Sequence, residues 1–294
     1  MNKIFTTKRL LLNEITLSDA EFIYELVNTE AWKHFIGDRN IQNTTDAIAY
    51  IQKLIDDPCI TYFVVRSKED QCPAGVISFI KREHLEHSDI GFAFLPAHSG
   101  KGYAYEAASA VLEEAIGFHP SVCAITMPEN KSSIRLLERL GFSFKSTVIK
   151  DGEELVLYII SADKVEIDKL VRSFFGIFTN TNGKQPDWTM IDKTCIPETL
   201  IIKKADETSV YTLDSFSAPR KKILTDGTLT DFEEYETSNE TKIITNIAQR
   251  HSRYEKKGVL NGKQFRGRGN KFFQFIKTTE GWKISAVVWE DEAV

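Results

Sequence analysis

The sequence is poor in the residues that build metal or disulfide frameworks. Its four cysteines, Cys59, Cys72, Cys123 and Cys195, are scattered over 294 residues with no C-x-x-C spacing. No histidines group with them in a zinc-ligand pattern, so free thiols in a reducing compartment and no bound metal are expected. No apolar run reaches the roughly 20 residues that a bilayer crossing needs. No basic-then-apolar leader opens the chain, because Met1-Asn2-Lys3-Ile4-Phe5-Thr6 runs straight into charge. These absences set the expectation of a cytoplasmic protein without a membrane partner. Internal repeats and low-complexity tracts are missing too.

What remains is an ordinary globular composition, 42 % apolar and 27 % charged, in a chain long enough for two domains. The charge is uneven. Residues 1–163 hold 16 Lys and Arg against 23 Asp and Glu, a net of −7, whereas residues 164–294 hold 21 against 19, a net of +2. An acidic first half argues against nucleic acid as its partner and suits a cationic acceptor such as an amine.

Two periodic regimes follow one another. Up to about residue 160, strand patterns (8–13, 61–66, 74–81, 89–95, 122–127) interleave with helical ones. Ser18-Asp19 is expected to cap one helix. Thr45-Asp46 is expected to open another, with Ile48, Ile51, Leu54 and Ile55 on its buried stripe. After Ser161 the order becomes a helix to about Phe178, a short helix near Trp188, a strand at 199–204 and a helix over 213–224. Long strands then close the chain: 231–236 running through a turn into 242–254, then 265–277 and 282–289. Helices followed by an antiparallel meander describe an α+β domain, and the boundary is placed at 162/163.

The informative stretch is Asp89-Ile90-Gly91-Phe92-Ala93-Phe94, then Leu95-Pro96-Ala97-His98-Ser99-Gly100-Lys101-Gly102-Tyr103-Ala104, then a helix with Ala107, Ala108, Val111 and Leu112 on one face. A strand leads into a glycine turn and the turn into a helix start. Helix starts leave several amides without intrahelical partners, and the dipole adds positive character there, so the geometry suits an anionic phosphate. A second stretch, Asn130-Lys131-Ser132-Ser133 through Glu138-Arg139-Leu140-Gly141-Phe142, follows the strand at 122–127. Asn130 is a good N-cap, and Gly141 stands where a helix end favours left-handed backbone.

The two stretches together resemble the GNAT superfamily of N-acetyltransferases, nearest to the ribosomal-protein N-terminal acetyltransferase (RimJ/RimL) type. The superfamily turn, Gln/Arg-x-x-Gly-x-Gly/Ala, is matched by Ser99-Gly100-Lys101-Gly102-Tyr103-Ala104, with Ser99 in place of Gln or Arg. The second signature is matched by Asn130, Ser133 and Glu138-x-Leu140-Gly141-Phe142. The resemblance spans residues 5–160 and implies an α/β fold, a mixed central sheet with flanking helices. It implies acetyl-CoA as co-substrate, its pyrophosphate on the amides of residues 99–104 and its pantetheine along Phe92–Phe94, in a cleft between two splaying parallel strands that end near Phe94 and Met127. Phe94, Ser99, Gly100, Lys101, Gly102, Tyr103, Ala104 and Asn130 are the cofactor-binding residues it points to. The acetyl group would pass directly to a primary amine, a protein N-terminus or a small-molecule amine. Asp89 is the first candidate for general base and Glu83 the second, with His84 and His87 behind them, and Ser133 is the candidate for meeting the departing thiolate. A tyrosine that many members use as general acid falls at Leu137, which feeds the alternative of an inert CoA-binding protein.

Residues 163–294 resemble, more loosely, the cone-shaped α+β domains related to nuclear transport factor two and the SnoaL cyclases. That resemblance implies ligand binding or homodimerisation, and keeps open a bifunctional protein whose second domain processes a small molecule. His251 is the one histidine of this half, and Arg250, Arg253, Arg266 and Arg268 read as a positive cluster on adjacent strands.

Overall fold

The computed structural model describes residues 4–150 and 152–292, so the opening Met1-Asn2-Lys3 read for a leader lies outside the described residues. The chain forms two compact units, Met1–Ala162 and Asp163–Val294. Among the described residues no helix is long and apolar enough to cross a membrane.

The first unit runs β1 (Ile4–Thr6), β2 (Leu10–Glu14), α1 (Ala20–Val27), α2 (Glu30–Phe35), α3 (Thr44–Asp56), β3 (Ile60–Ser67), β4 (Pro73–Ile80), β5 (Asp89–Phe94), α4 (Tyr103–Ile116), β6 (Ser121–Thr126), α5 (Lys131–Arg139), β7 (Ser143–Lys150) and β8 (Glu153–Ser161). The strands make one sheet in the order β1-β2-β3-β4-β5-β6-β8-β7. Every neighbouring pair is antiparallel except β5 and β6. Asp19 stands at the N-cap position of α1 without a side-chain bond to the helix amides; it is buried, accepting from Thr16 and ion-paired to Arg66. In α3 the cap is Asn43, whose Oδ1 accepts the Asp46 N–H at 3.0 Å, just before the expected opening at Thr45-Asp46. The buried stripe is correspondingly Ala47, Ile51 and Leu54, while Ile48 and Ile55 stay 41 % and 47 % exposed. Helix α4 buries Ala107, Ala108, Val111, Leu112 and Ala115. Each large apolar chain so covered contributes about 1.5–3 kcal/mol, which anchors the helix start firmly beside the sheet.

The second unit runs α6 (Ala162–Gly176), α7 (Met190–Thr194), β9 (Cys195–Lys204), β10 (Thr208–Tyr211), α8 (Leu213–Thr225), β11 (Leu229–Ile244), β12 (Ile247–Leu260), β13 (Lys263–Thr278) and β14 (Gly281–Asp291). Its sheet order is β10-β9-β14-β13-β12-β11, with only β9 and β14 parallel. The turn expected between Glu236 and Lys242 is absent. β11 is one strand through Ile244, and the hairpin turns at Thr245, whose φ is +52°. The polar residues 237–241 continue the ladder because β11 is an edge strand, and a bulge between Glu236 and Ser238 keeps them in register with β12. The core is aromatic: Phe174, Phe175 and Phe178 meet Phe216, Tyr254, Phe273, Phe275, Trp282 and Trp289.

Candidate functional site

The site begins where β5 and β6 part. Their only Cα partnership is Asp89 with Cys123. The Cys123 N–H reaches the Ser88 carbonyl at 2.9 Å, and after that point the Asp89 side chain takes over, its Oδ1 accepting the Ile125 N–H at 3.2 Å. Beyond it, β5 stays paired to β4 as far as Phe94 and β6 stays paired to β8 as far as Thr126. Each strand therefore keeps its outer neighbour and turns its inner edge to an opening. A backbone edge so exposed offers amides and carbonyls to an extended ligand, by the same pairing that adds a strand to a sheet.

Asp89 is 2 % exposed. Its Oδ2 receives Arg82 Nε at 2.7 Å. Burial pushes its carboxyl above the ordinary carboxylate range, against the pull of Arg82 and of the Ile125 amide. The expectation of a base open to an amine meets a carboxylate with both oxygens committed; its evident task is to seam the strands where they diverge. Glu83 is exposed in the loop between β4 and β5. Cys123, next to Asp89, is buried with its thiol pushed up to about 12, so it is no nucleophile at neutral pH.

The turn after β5 has the geometry its glycines require. Gly100 and Gly102 have φ of +74° and +76°, a region L side chains rarely adopt. Gly102 is the N-cap of α4, and the first helical bond runs from the Glu106 N–H to the Gly102 carbonyl at 3.1 Å. The amides of residues 102–105 precede that ladder, and no carboxylate cap covers them. One correction applies to the expected cradle of residues 99–104: the Ser99 amide is spent on the Pro96 carbonyl at 3.1 Å, closing a 3₁₀ turn. The available amides start at Gly100.

An open cleft of about 520 Å³ lies at this turn, lined by Arg9, Gly100, Lys101, Gly102, Tyr105, Glu106, Ser109 and Arg139. Arg9 and Arg139 are the functional candidates that sequence reasoning missed. Arg139, at the end of α5, places its guanidinium carbon 4.2 Å from the centre of the Tyr105 ring. Glu106 faces the start of β2. It accepts from Thr7 Oγ1 at 2.6 Å, from the Arg9 N–H at 2.8 Å and from Arg9 Nε at 2.7 Å. Partial burial alone would raise its carboxyl; those donors hold it below the ordinary value.

Phe94 closes β5 with its ring against Gly75, where a Cβ would come within 2.4 Å of the ring, so that position admits only glycine. Tyr103 and Ala104 are half-buried in the first turn of α4, and Lys101 is exposed beside them. Asn130 caps α5, its Oδ1 accepting the Ser133 N–H at 3.1 Å and the Ser132 hydroxyl at 2.9 Å. Ser133 is half-buried in the same turn, and Leu137 is 1 % exposed in the core. Gly141 has φ of +94°, the left-handed helix end read from the sequence.

In the second unit Arg250 leaves the expected arginine group, while Arg253, Arg266 and Arg268 stay exposed on the outward pleat of β12 and β13. Arg250 points inward, 2 % exposed, held by Glu236 through Nε at 2.9 Å and by Asp168 through Nη1 at 2.5 Å. Arg253, three residues on, points outward, and Arg268 pairs with Glu292 at 2.7 Å. Alternation along β12 separates Arg250 from Arg253. His251 donates to or accepts from Asn270 at 2.9 Å and stacks on Phe272 at 4.8 Å.

The acetyltransferase (GNAT) domain model matches residues 9–143. The uncharacterized N-acetyltransferase YnaD of Bacillus subtilis is 32 % identical over 155 residues, half of this chain and 89 % of that protein. The uncharacterized N-acetyltransferase YoaA of the same organism is 28 % identical over 150 residues, 48 % of this chain and 84 % of its own. Among solved structures, a GNAT-family acetyltransferase from Bacillus anthracis aligns over 54 % of this chain and 99 % of its own, at 24 % identity and a TM-score of 0.47.

Proposed function

The chain belongs to the GNAT N-acetyltransferases, and from that premise we propose that residues 1–162 carry an acetyl group from acetyl-CoA directly to a primary amine, either a protein N-terminus or a small-molecule amine. The observation that carries the reading is the parting of β5 from β6 beside a helix start whose glycine turn leaves its amides uncapped. In this reading the diphosphate rests on the amides of residues 100–105, and the pantetheine runs along the open edge of β5 toward Asp89. A β5 amide then polarises the thioester carbonyl.

The amine attacks as its neutral form. An α-amino group with a pKa near ~8, or a lysine near ~10.4, must therefore lose a proton before or during attack. The new C–N bond forms as the C–S bond breaks. The amine proton leaves to water or to a carboxylate, and the thiolate regains one. Glu83, exposed in the loop that leads into β5, is the carboxylate proposed to take the proton, and Ser133 is the hydroxyl proposed for the thiolate. Asp89, buried and paired, is assigned a positioning role, or acts on the amine only through an intervening water. The −7 net charge of residues 1–163 favours a cationic acceptor approaching the domain.

For residues 163–294 the proposed role is homodimerisation through an α+β cone of the nuclear-transport-factor-two kind. What supports it is a set of exposed apolar residues on the otherwise polar outer face of the sheet. Phe272, Val288 and Ile202 follow one another across β13, β14 and β9, and Phe272, Ile247 and Ile244 are 55 %, 58 % and 55 % exposed. A cytoplasmic location goes with this reading and with four free thiols.

The test is release of CoA thiol from acetyl-CoA against a panel of N-terminal peptides, polyamines and aminoglycosides. Turnover with at least one amine is expected. CoA binding without thiol release from any acceptor would favour the inert alternative to which Leu137 points.

A further inference from the structure

The turn that the proposed diphosphate would occupy has little charge of its own. Ser99 is uncharged with its amide already used, Gly100 and Gly102 have no side chains, and Lys101 is exposed on the rim. A second cation reaches the same place from the other end of the domain. Arg9, at the start of β2, donates from Nη1 to the Lys101 carbonyl at 2.9 Å. Its Nε is held by Glu106 at 2.7 Å, and its guanidinium carbon lies 4.9 Å from the centre of the Tyr103 ring. Among the described residues Nη2 is the nitrogen left over. A Cβ built on Gly102 would stand 3.5 Å from it, so Nη2 borders the left-handed residue whose amide opens α4.

We propose that Arg9 is a diphosphate-binding and positioning residue, presenting Nη2 to a phosphate oxygen of CoA while its other two nitrogens fix the turn. This rests on the acetyl-CoA reading above. Two physical steps support it. Peptide planarity ties the Lys101 carbonyl to the Gly102 N–H, so pinning the carbonyl toward Arg9 fixes the direction of that amide. A guanidinium is planar and has donors to spare, so it can hold a carboxylate, a carbonyl and a phosphate at once. A lysine ammonium carries its three donors on one nitrogen, so it cannot spread them over the three separate positions that the planar fork reaches. Glu106 is then the group that aims Arg9, backed by the Thr7 hydroxyl at 2.6 Å. The local charge fits as well. Arg9, Lys101 and Arg139 line the cleft against the single carboxylate of Glu106, inside a domain that is acidic as a whole.

The test uses the full chain. CoA is titrated calorimetrically into the wild type, Arg9→Gln, Arg9→Lys and Thr7→Val, and acetyl-CoA KM and kcat are measured with an amine the wild type accepts. Arg9→Gln should raise the CoA Kd tenfold or more, flatten its salt dependence and raise KM with kcat within twofold. Arg9→Lys should raise Kd three- to tenfold, because it keeps the charge and loses the fork. Thr7→Val removes the Oγ1 bonds to Glu106 and to Leu10 but leaves the Arg9 fork in place, so it should lower the melting temperature and raise Kd by less than Arg9→Gln does. If Arg9→Gln binds CoA as the wild type does, or if Thr7→Val weakens binding as much as Arg9→Gln, the Arg9 assignment is overturned and the acetyl-CoA reading stands. If Arg9→Gln does not fold, an unchanged Kd in Arg9→Lys overturns the assignment in its place. A wild type that binds no CoA overturns both.

Discussion

Replacing Gly102 by alanine separates backbone strain from ligand binding, because the fold supplies its own control. Gly102 and Gly152 both have positive φ, +76° and +84°. A Cβ at Gly152, in the turn between β7 and β8, meets nothing within 4 Å, and one at Gly102 meets only Arg9 Nη2, at an ordinary contact distance. An L side chain in this region costs about 1–2 kcal/mol. Both variants should therefore melt lower by a similar amount, roughly 2–8 °C at about 2–4 °C per kcal/mol for a domain of this size. Their effect on CoA should differ. At Gly102 the strain relaxes by rotating the peptide whose N–H faces the cleft, and the new methyl group stands in the phosphate path. Hydrogen bonds to a charged acceptor are worth about 1.5–3 kcal/mol each. Losing two amides then costs about 3–6 kcal/mol. In an open cleft the lower end applies, or roughly a hundredfold in Kd. Calorimetric titration of both variants reads the difference. Gly102→Ala binding CoA within threefold of Gly152→Ala, at equal loss of melting temperature, would refute the idea that these amides hold the ligand.

Four further outcomes follow from the same geometry. Asp89→Asn should lower the melting temperature of the first unit, because Arg82 loses its buried counter-charge, and should leave the pH profile of kcat/KM unmoved; a shifted limb in that profile would return Asp89 to the role of base. Ser133→Ala should lower kcat about tenfold or more at constant KM if the hydroxyl meets the thiolate. An unchanged kcat would leave it as a helix residue served by the Asn130 cap. Arg250→Met strands Glu236 and Asp168 without their buried partner and should destabilise the second unit by about 3–5 kcal/mol, read in urea by tryptophan fluorescence; a loss under 1 kcal/mol would show the pair contributes little. In the same unit, partial burial would raise the Asp291 and Asp163 carboxyls. Bonds from Lys256 and Tyr254 to the first, and from Lys277 and Trp282 to the second, hold both below the ordinary value instead. A depressed folded-state pKa gives stability that is present above the unfolded value of about 3.9 and is lost as pH falls through the folded one. Urea midpoints should thus drop below pH 4, and a midpoint constant from pH 5 to pH 2 would contradict the assignment.

The chain announces the strand–turn–helix of residues 89–116 because local rules all agree there. Glycines sit at two positions that need positive φ, an apolar stripe has helical spacing, and β-branched and aromatic residues precede it. The Asn130 cap and the Gly141 helix end are legible for the same reason. The Arg9–Glu106 contact is not, since its partners are 97 positions apart and neither belongs to a local pattern. Asp89 illustrates a different limit. Residue type marks it as a candidate base, and only the register of β5 against β6 reveals a carboxylate filling the place of a ladder bond. By sequence β11 reads as broken because Thr237–Thr241 look like turn residues, yet an edge strand tolerates a polar run that a central strand would not. The inward and outward arginines of β12 differ only by their position on the pleat, which composition cannot resolve but alternation can.

The most direct measurement is a crystal structure of the full chain grown with CoA. The account predicts density for the diphosphate on the amides of residues 100–105, with the pantetheine leaving along the inner edge of β5 toward Asp89. Density for the nucleotide at any other surface, or a pantetheine that does not enter between β5 and β6, would contradict it.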